Sequence, residues 1–140
     1  MYELVYYSEA DQELTNEGVI DIIKQSREFN NKVGITGCLL YHKQEFIQIL
    51  EGNKETITSL FAKIKADERH HDIILLHEGE KEQRAFHRWS MAYQQLEDTE
   101  LQELGEKLFI HQFISFAKLA QEPTNAVRLF WYMSKHLLER

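Results

Sequence analysis

The most informative hydrophobic pattern in this chain lies in residues 46–52. In an extended strand, Phe46 and Leu50 share one side with Gln48, and the isoleucines between them point to the other side. Both faces are therefore apolar, which is typical of a strand covered on both sides of its sheet. An unpaired amide in such a place costs about 1–3 kcal/mol. We therefore expect Gln48 to bond its own backbone neighbourhood or a polar group held inside the protein.

The N-terminal part of the chain predicts a strand followed by a helix. Aromatic and branched residues indicate a strand over residues 4–8. Thr15 is a suitable N-cap for a helix in which apolar residues recur near the 3.6-residue period. We expect this helix to end at residues 30–31, where two asparagines stand together.

The next segment predicts a hairpin and a second helix. A short apolar run punctuated by glycine indicates a strand over residues 34–41, and residues 42–45 then form a turn into the strand of residues 46–52. Asn53 is a good N-cap for a helix, since the apolar residues after it are spaced by three, four and three positions. This helix should end near Glu68.

Two further strands complete the predicted sheet. Branched residues indicate a strand over residues 73–76, and residues 88–93 indicate another, with Trp89, Met91 and Tyr93 on one face. The element order is then βαββαββ. This order predicts an α+β ferredoxin-like sandwich, with both helices on one face of a largely antiparallel sheet.

The C-terminal part of the chain is helical in pattern. Helical spacing begins at Asp98, and Pro123 stands where a last helix can begin. The apolar stripe of that last helix is too wide for a free surface helix, so we expect it to cover the other sheet face. A partner surface is the alternative for part of this stripe, formed by Phe130, Trp131 and Met133.

Composition limits the possible partners. The chain has 140 residues, 43% of them hydrophobic, and a formal net charge of −7. We expect one compact domain with its own core, in which residues 97–140 form a helical extension packed on residues 1–96. The negative charge would repel a phosphate backbone, which disfavours nucleic acid and favours a protein or a small ligand.

Other features of the sequence concern its location. The chain begins without the pattern of a signal peptide, and no apolar run approaches membrane-spanning length. The single cysteine, Cys38, excludes an internal disulfide. We therefore expect a cytoplasmic protein without a membrane partner.

Several short motifs follow one another along the chain. They are Tyr6 followed by Ser8, Asn30 ahead of Gly34-Ile35-Thr36-Gly37, the stretch Phe46-Ile47-Gln48-Ile49-Leu50-Glu51-Gly52, Asp67-Glu68-Arg69-His70, and Trp89-Ser90-Met91. In this order and spacing they resemble the BLUF domain, a blue-light sensor that uses flavin, over residues 2–95. The remaining helices resemble the short C-terminal extension of single-domain members.

The resemblance implies a noncovalently bound flavin, either FAD or FMN. Its isoalloxazine ring would lie between the two helices, flanked by Ile22 and Ile64, with Phe46 among the contacts. Asn30 corresponds to the amide that holds the pyrimidine edge of the ring. An amide suits this place because it donates and accepts hydrogen bonds without bringing charge into an apolar slot.

The resemblance also implies the photoactive residues. Gln48 corresponds to the glutamine that rearranges in light, and Tyr6 to the tyrosine that gives an electron and then a proton to the excited flavin. From the strand pattern alone Tyr7 has an equal claim to Tyr6. Trp89 and Met91 match the tryptophan and methionine that alter their contact with the glutamine, although both residue types often serve only packing.

Four polar residues match the part of the family that contacts the ribityl chain and phosphate. They are Lys63, Asp67, Arg69 and His70. Lys63 and Arg69 can offset phosphate charge. An exposed charge cluster is also a common solvated helix end, so this alternative stays open.

Three other functions compete with light sensing. An acylphosphatase-like hydrolase would need a phosphate-binding loop, and no glycine-rich cradle is present. A metal site is the second alternative, suggested by His70, His71, His77 and His87. A ferredoxin-like protein-interaction module without a chromophore is the third. We favour a non-enzymatic photoreceptor that forms a homo-oligomer and signals to a separate downstream protein.

Overall fold

The computed structural model describes residues 1–86, 92–95 and 124–138. The strands are β1 (Tyr2–Ala10), β2 (Thr36–His42), β3 (Glu45–Gly52), β4 (His70–Glu80) and β5 (Ala92–Gln95). The helices are α1 (Asn16–Val33), α2 (Lys54–Ala66) and α3 (Asn125–Leu138). The predicted site residues Trp89 and Met91 lie outside the described residues, as does the predicted helical region before Pro123.

The five described strands form one sheet in the order β4-β1-β3-β2-β5. The pairings among β4, β1, β3 and β2 are antiparallel, and β5 runs parallel to β2. The element order and antiparallel sheet confirm the α+β ferredoxin-like prediction. β1 and β4 are longer than the predicted strands of residues 4–8 and 73–76.

The β2–β3 connection is a two-residue hairpin turn. Lys43 and Gln44 both have positive φ, 48° and 67°, which is the backbone of the tight turn that matches the twist of antiparallel strands. The predicted turn is confirmed, with its flanking residues belonging to the strands. Gly37 lies where β2 passes close to β3, and a Cβ there would meet the Ile49 carbonyl oxygen at 1.9 Å.

The predicted N-caps of α1 and α2 are confirmed. The Thr15 hydroxyl accepts a hydrogen bond from the Gly18 N–H, and the Asn53 side chain accepts from Glu55 and Thr56. Each cap satisfies backbone donors that a helix start leaves without a partner.

The predicted end of α1 is wrong. The helix continues to Val33, and Gly34 ends it in the left-handed region at φ 73°. Glycine takes this conformation without strain, so the helix ends there rather than at the two asparagines. The Asn30 carbonyl accepts hydrogen bonds from the Gly34 and Ile35 N–H groups. Asn30 therefore stands within the last turns of the helix, and its side chain is not a cap.

The sheet has an apolar core on each face. The α1/α2 side packs Leu4, Val19, Leu39, Leu50 and Ile57 among its buried residues. The α3 side packs Val5, Leu40, Ile47, Ile49 and Phe130. The predicted cover of the second sheet face is thus confirmed for α3. The predicted partner surface is wrong at Phe130, which is fully buried because it faces the sheet.

Candidate functional site

A cleft of about 200 Å³ opens between α1 and α2 above the sheet. Such a volume exceeds the space of a few water molecules and suits an organic ring system. Its lining includes all ten residues predicted to contact a cofactor, namely Tyr6, Ile22, Asn30, Phe46, Gln48, Lys63, Ile64, Asp67, Arg69 and His70. The structure thus brings the predicted set together, while the role of each residue stays a prediction.

A buried hydrogen bond joins the two predicted photoactive residues of the sheet. Tyr6 on β1 and Gln48 on β3 are direct cross-strand partners. The Tyr6 hydroxyl donates to Gln48 Oε1 at 2.7 Å. Tyr7 has the opposite strand parity, and its hydroxyl donates to a carboxylate oxygen of Glu45 at 2.5 Å. The geometry therefore places Tyr6, and not Tyr7, at the cleft.

The Tyr6 phenol is held in its protonated form. Burial raises the pKa of Tyr6 well above its ordinary value, and the negative charge of Asp67 raises this pKa further. A phenol that keeps its proton can donate, and in this structure it donates to the oxygen of the Gln48 amide. Of the two partners expected for the Gln48 amide, a backbone group or a buried polar group, the structure shows the second, which is the Tyr6 hydroxyl on the neighbouring strand.

Asn30 presents an unsatisfied amide to the cleft. The residue is 1% exposed, and neither Oδ1 nor Nδ2 has a hydrogen-bond partner in the part of the chain that the structure describes. Of the described residues with buried polar side-chain atoms that lack a partner, Asn30 is the one that lines the cleft. Because orphaned buried groups are costly, the cleft fits a ligand with an adjacent donor and acceptor. The pyrimidine edge of a flavin has this pattern.

The cleft walls are apolar and come from both helices. Ile22 lies on α1 and Ile64 on α2, as predicted. Five lining residues were missed by the sequence reasoning, and they are Gln25, Ser26, Phe29, Leu39 and Leu60. Helical spacing could have found most of them, since positions 22, 25, 26 and 29 share a helix face, as do 60, 63 and 64.

A charged pair stands at the rim of the cleft. Arg69 donates to both carboxylate oxygens of Asp67, with its closest approach at 2.6 Å, and reaches the Gln25 side chain at 3.1 Å. Hydrogen bonding from Arg69 lowers the pKa of Asp67 despite partial burial. Lys63 lies over the Phe29 ring at 5.1 Å. The predicted phosphate-side cations are therefore both at the rim, with Arg69 already paired.

His70 joins three elements around the cleft. Its Nε2 lies 2.5 Å from the Ile64 carbonyl oxygen and its Nδ1 lies 2.8 Å from the Ser8 hydroxyl. A carbonyl oxygen can only accept, so Nε2 carries the hydrogen, and in the neutral ring Nδ1 accepts from Ser8. His70 thereby fixes the end of α2 against β1 beside Tyr6.

The structure does not bring the four histidines suggested as metal ligands into one described group. The neighbouring residues His70 and His71 separate, since His70 lines the cleft while His71 contacts Asp72 at 2.8 Å. In the described part of the chain, one group could offer three metal ligands, formed by Glu9, His71 and Asp72 on the partly exposed surface. None of these three residues lines the cleft.

The described helices include none that is long and apolar enough to cross a membrane.

A family model and several known proteins match this chain. The family model "Sensors of blue-light using FAD" matches residues 1–92. A photoactivated adenylate cyclase subunit beta of Euglena longa is 34% identical over 83 residues, which cover 59% of this chain and 10% of that protein. A subunit alpha of Euglena gracilis is 42% identical over 62 residues, which cover 44% of this chain and 6% of that protein. The chain thus spans a small part of these curated relatives.

Two solved structures have a similar fold. The structure of BlsA in its photo-activated state is 30% identical at a TM-score of 0.68, with 99% of this chain and 95% of that chain covered. A structure of Klebsiella pneumoniae BlrP1 with FMN and cyclic diGMP is 31% identical at a TM-score of 0.64 and covers 74% of this chain and 29% of that one.

Proposed function

The chain belongs to the BLUF family, whose domains sense blue light with bound FAD or FMN, and we propose from this premise that Tyr6 and Gln48 form its light-driven switch. The observation that carries the proposal is the 2.7 Å hydrogen bond from the Tyr6 hydroxyl to Gln48 Oε1 in the cleft wall. It supplies a defined path for one proton next to the space where a flavin fits.

The proposed switch begins at the Tyr6 phenol. Bound flavin supplies the light-absorbing ring and the electron acceptor. Tyr6 gives up one electron and then its phenolic proton, because loss of the electron makes a phenol strongly acidic. The phenolic proton would pass along the hydrogen bond to Gln48 Oε1 while Gln48 releases one N–H proton toward the cleft. Return of the electron and of that proton to Tyr6 would leave Gln48 in its tautomeric form, which can then rotate.

The rearranged Gln48 changes what the bound ring meets. The amide oxygen and nitrogen are close in size but opposite in hydrogen-bond role, so exchanging them moves heavy atoms very little. A buried site enhances the electrostatic effect of such an exchange. We expect a small shift of the flavin absorption to the red, without a change in its oxidation state.

Cofactor retention rests on other residues of the cleft. The orphaned Asn30 amide would hold the pyrimidine edge, and Ile22 and Ile64 would flank the ring. At the rim, Lys63 has no ion-pair partner among the described residues and would meet phosphate charge, while Asp67 already offsets that of Arg69. FAD and FMN both fit these assignments, because the two cofactors carry the same isoalloxazine ring.

The output of the domain is proposed to be a protein contact. A rearranged hydrogen bond can shift an equilibrium between two packings and cannot unfold a domain. Altered self-association or altered affinity for a separate downstream protein would be such a response. This contact would be made by residues other than Phe130, because Phe130 is fully buried.

Absorption spectroscopy of the Gln48→Ala variant tests the switch. The wild type should purify with flavin and shift to the red under blue light, with recovery in darkness. The variant should retain flavin, since it loses about 0.5–1.5 kcal/mol of hydrogen bonding, but should show no shift. A full red shift in Gln48→Ala would reject the proposal.

A further inference from the structure

Two carboxylates face each other on the sheet surface that α3 covers. Glu3 on β1 and Glu51 on β3 are direct cross-strand partners, and their side chains are 2% and 0% exposed. Like charges in this arrangement repel each other, so a cation is needed between them. Lys81 supplies it, with Nζ at 2.9 Å from Glu3 Oε1 and in direct contact with Glu51 Oε2. We call Glu3, Glu51 and Lys81 the charge latch.

The charge latch fixes the chain that follows β4. The Glu51 carboxylate accepts hydrogen bonds from the backbone N–H groups of Ala85 and Phe86, at 2.7 and 2.9 Å. Phe86 in turn packs edge-on against Phe130 of α3. The carboxylate therefore holds the segment on which α3 rests.

The charge latch also reaches the first turn of α3. The Thr124 hydroxyl donates to Glu3 Oε1 at 2.8 Å and accepts from the Val127 N–H at 3.2 Å. Thr124 is thus the N-cap of α3 and, through the same oxygen, its connection to β1. Apolar packing is non-directional and tolerates small slides, whereas this hydrogen bond has one geometry.

The charge latch and the proposed switch occupy the same two strands. Glu3 lies three residues before Tyr6 on β1, and Glu51 lies three residues after Gln48 on β3. This odd spacing puts the two pairs on opposite faces of one ladder. We propose that the charge latch holds the first turn of α3 to the β1–β3 ladder, and that a change at Tyr6 and Gln48 reaches α3 through it. The second half of this proposal rests on the proposed function.

Matched changes at two N-caps test the proposal by hydrogen exchange. Thr124→Asp keeps a cap acceptor but loses the donor to Glu3 and places a negative charge beside it. Thr124→Ser keeps both functions. Thr15→Asp makes the same substitution at the N-cap of α1, where the hydroxyl accepts from Gly18 at 3.1 Å and is not part of the latch.

In darkness, amides of residues 125–137 should exchange about tenfold faster or more in Thr124→Asp than in the wild type, because a hydrogen bond to a charged group is lost. Thr124→Ser and Thr15→Asp should leave their exchange unchanged. Under blue light, Thr124→Asp should keep the red shift, whereas the light-dependent difference in α3 exchange should fall to less than about half of the wild-type difference.

Dark exchange in Thr124→Asp equal to that in Thr124→Ser would overturn the holding role. The transmission role would be overturned if light changed the hydrogen exchange of α3 in Thr124→Asp as much as in the wild type. It would also be overturned if light left α3 exchange unchanged in a wild type that shows the red shift. Absence of a red shift in the wild type would instead reject the proposed function, and the dark comparison would still decide the latch. Should Thr124→Asp not fold, Thr124→Val against Thr15→Val gives the same comparison without added charge.

Discussion

On the sheet face covered by α1 and α2, the polar groups at the centre are uncharged, and the Asn30 amide has no partner. On the face covered by α3, Glu3, Glu51 and Lys81 are charged and paired within the charge latch, while the buried Ser134 hydroxyl has no partner among the described residues. Both arrangements are buried. Of the described residues with unpaired buried polar atoms, Asn30 alone lines the cleft between α1 and α2, so a ligand can complete the first face, whereas the buried charges of the second face are paired within the chain.

Removing the cation of the charge latch should have the largest effect on stability. Lys81→Met leaves two carboxylates buried against each other, and breaking a buried pair in this way costs about 3–5 kcal/mol. Urea unfolding of the flavin-free protein measures the loss. Lys24→Met, at an exposed position of α1, is the control. A loss below about 1 kcal/mol for Lys81→Met would contradict the account of this face.

Removing the unpaired amide of the cleft should raise the stability of the flavin-free protein, whereas removing Lys81 should lower it. Asn30→Leu eliminates a buried group without a partner, so the flavin-free protein should gain up to about 1–3 kcal/mol. Flavin retention should fall in the same variant. Asn31→Leu, one position along α1 and exposed, should change neither quantity in this way. Destabilised apoprotein with unchanged flavin retention would show that Asn30 serves the fold.

The rim pair should have the smallest effect. Hydrogen bonding from Arg69 lowers the pKa of Asp67 in the folded state, so the pair contributes stability above the unfolded pKa of about 3.9. That contribution is lost as the pH falls through the lower folded pKa. The pair is partly exposed, so Asp67→Asn should cost less than about 1 kcal/mol at pH 7. Unfolding at a series of pH values checks this, and a cost that persists in strong acid would contradict it.

Local sequence signals predicted much of the fold that carries these two faces. The alternation around Gln48 predicted a strand covered on both sides, and the N-caps Thr15 and Asn53 set the helix starts. These features depend on neighbouring residues, so the sequence carries them directly. The end of α1 was misplaced because two residue types that tolerate the left-handed conformation compete within five positions.

The charge latch was not predicted, for a physical reason. Glu3 and Glu51 become neighbours only through strand register, and Lys81 and Thr124 reach them from distant parts of the chain. The unpaired state of Asn30 is likewise visible only when the surrounding elements are in place. The motif resemblance supplied the list of cleft residues, and the structure adds which of them already have partners.

The light-minus-dark absorption spectrum of Tyr6→Phe, beside that of Tyr7→Phe, tests the central claim most directly. The two tyrosines are chain neighbours on opposite faces of β1, and the hydroxyl of each donates to another side chain, that of Tyr6 to Gln48 and that of Tyr7 to Glu45. The account predicts that both variants bind flavin, that Tyr7→Phe keeps the red shift and that Tyr6→Phe loses it. A full red shift in Tyr6→Phe would contradict the assignment of the switch to the Tyr6–Gln48 pair.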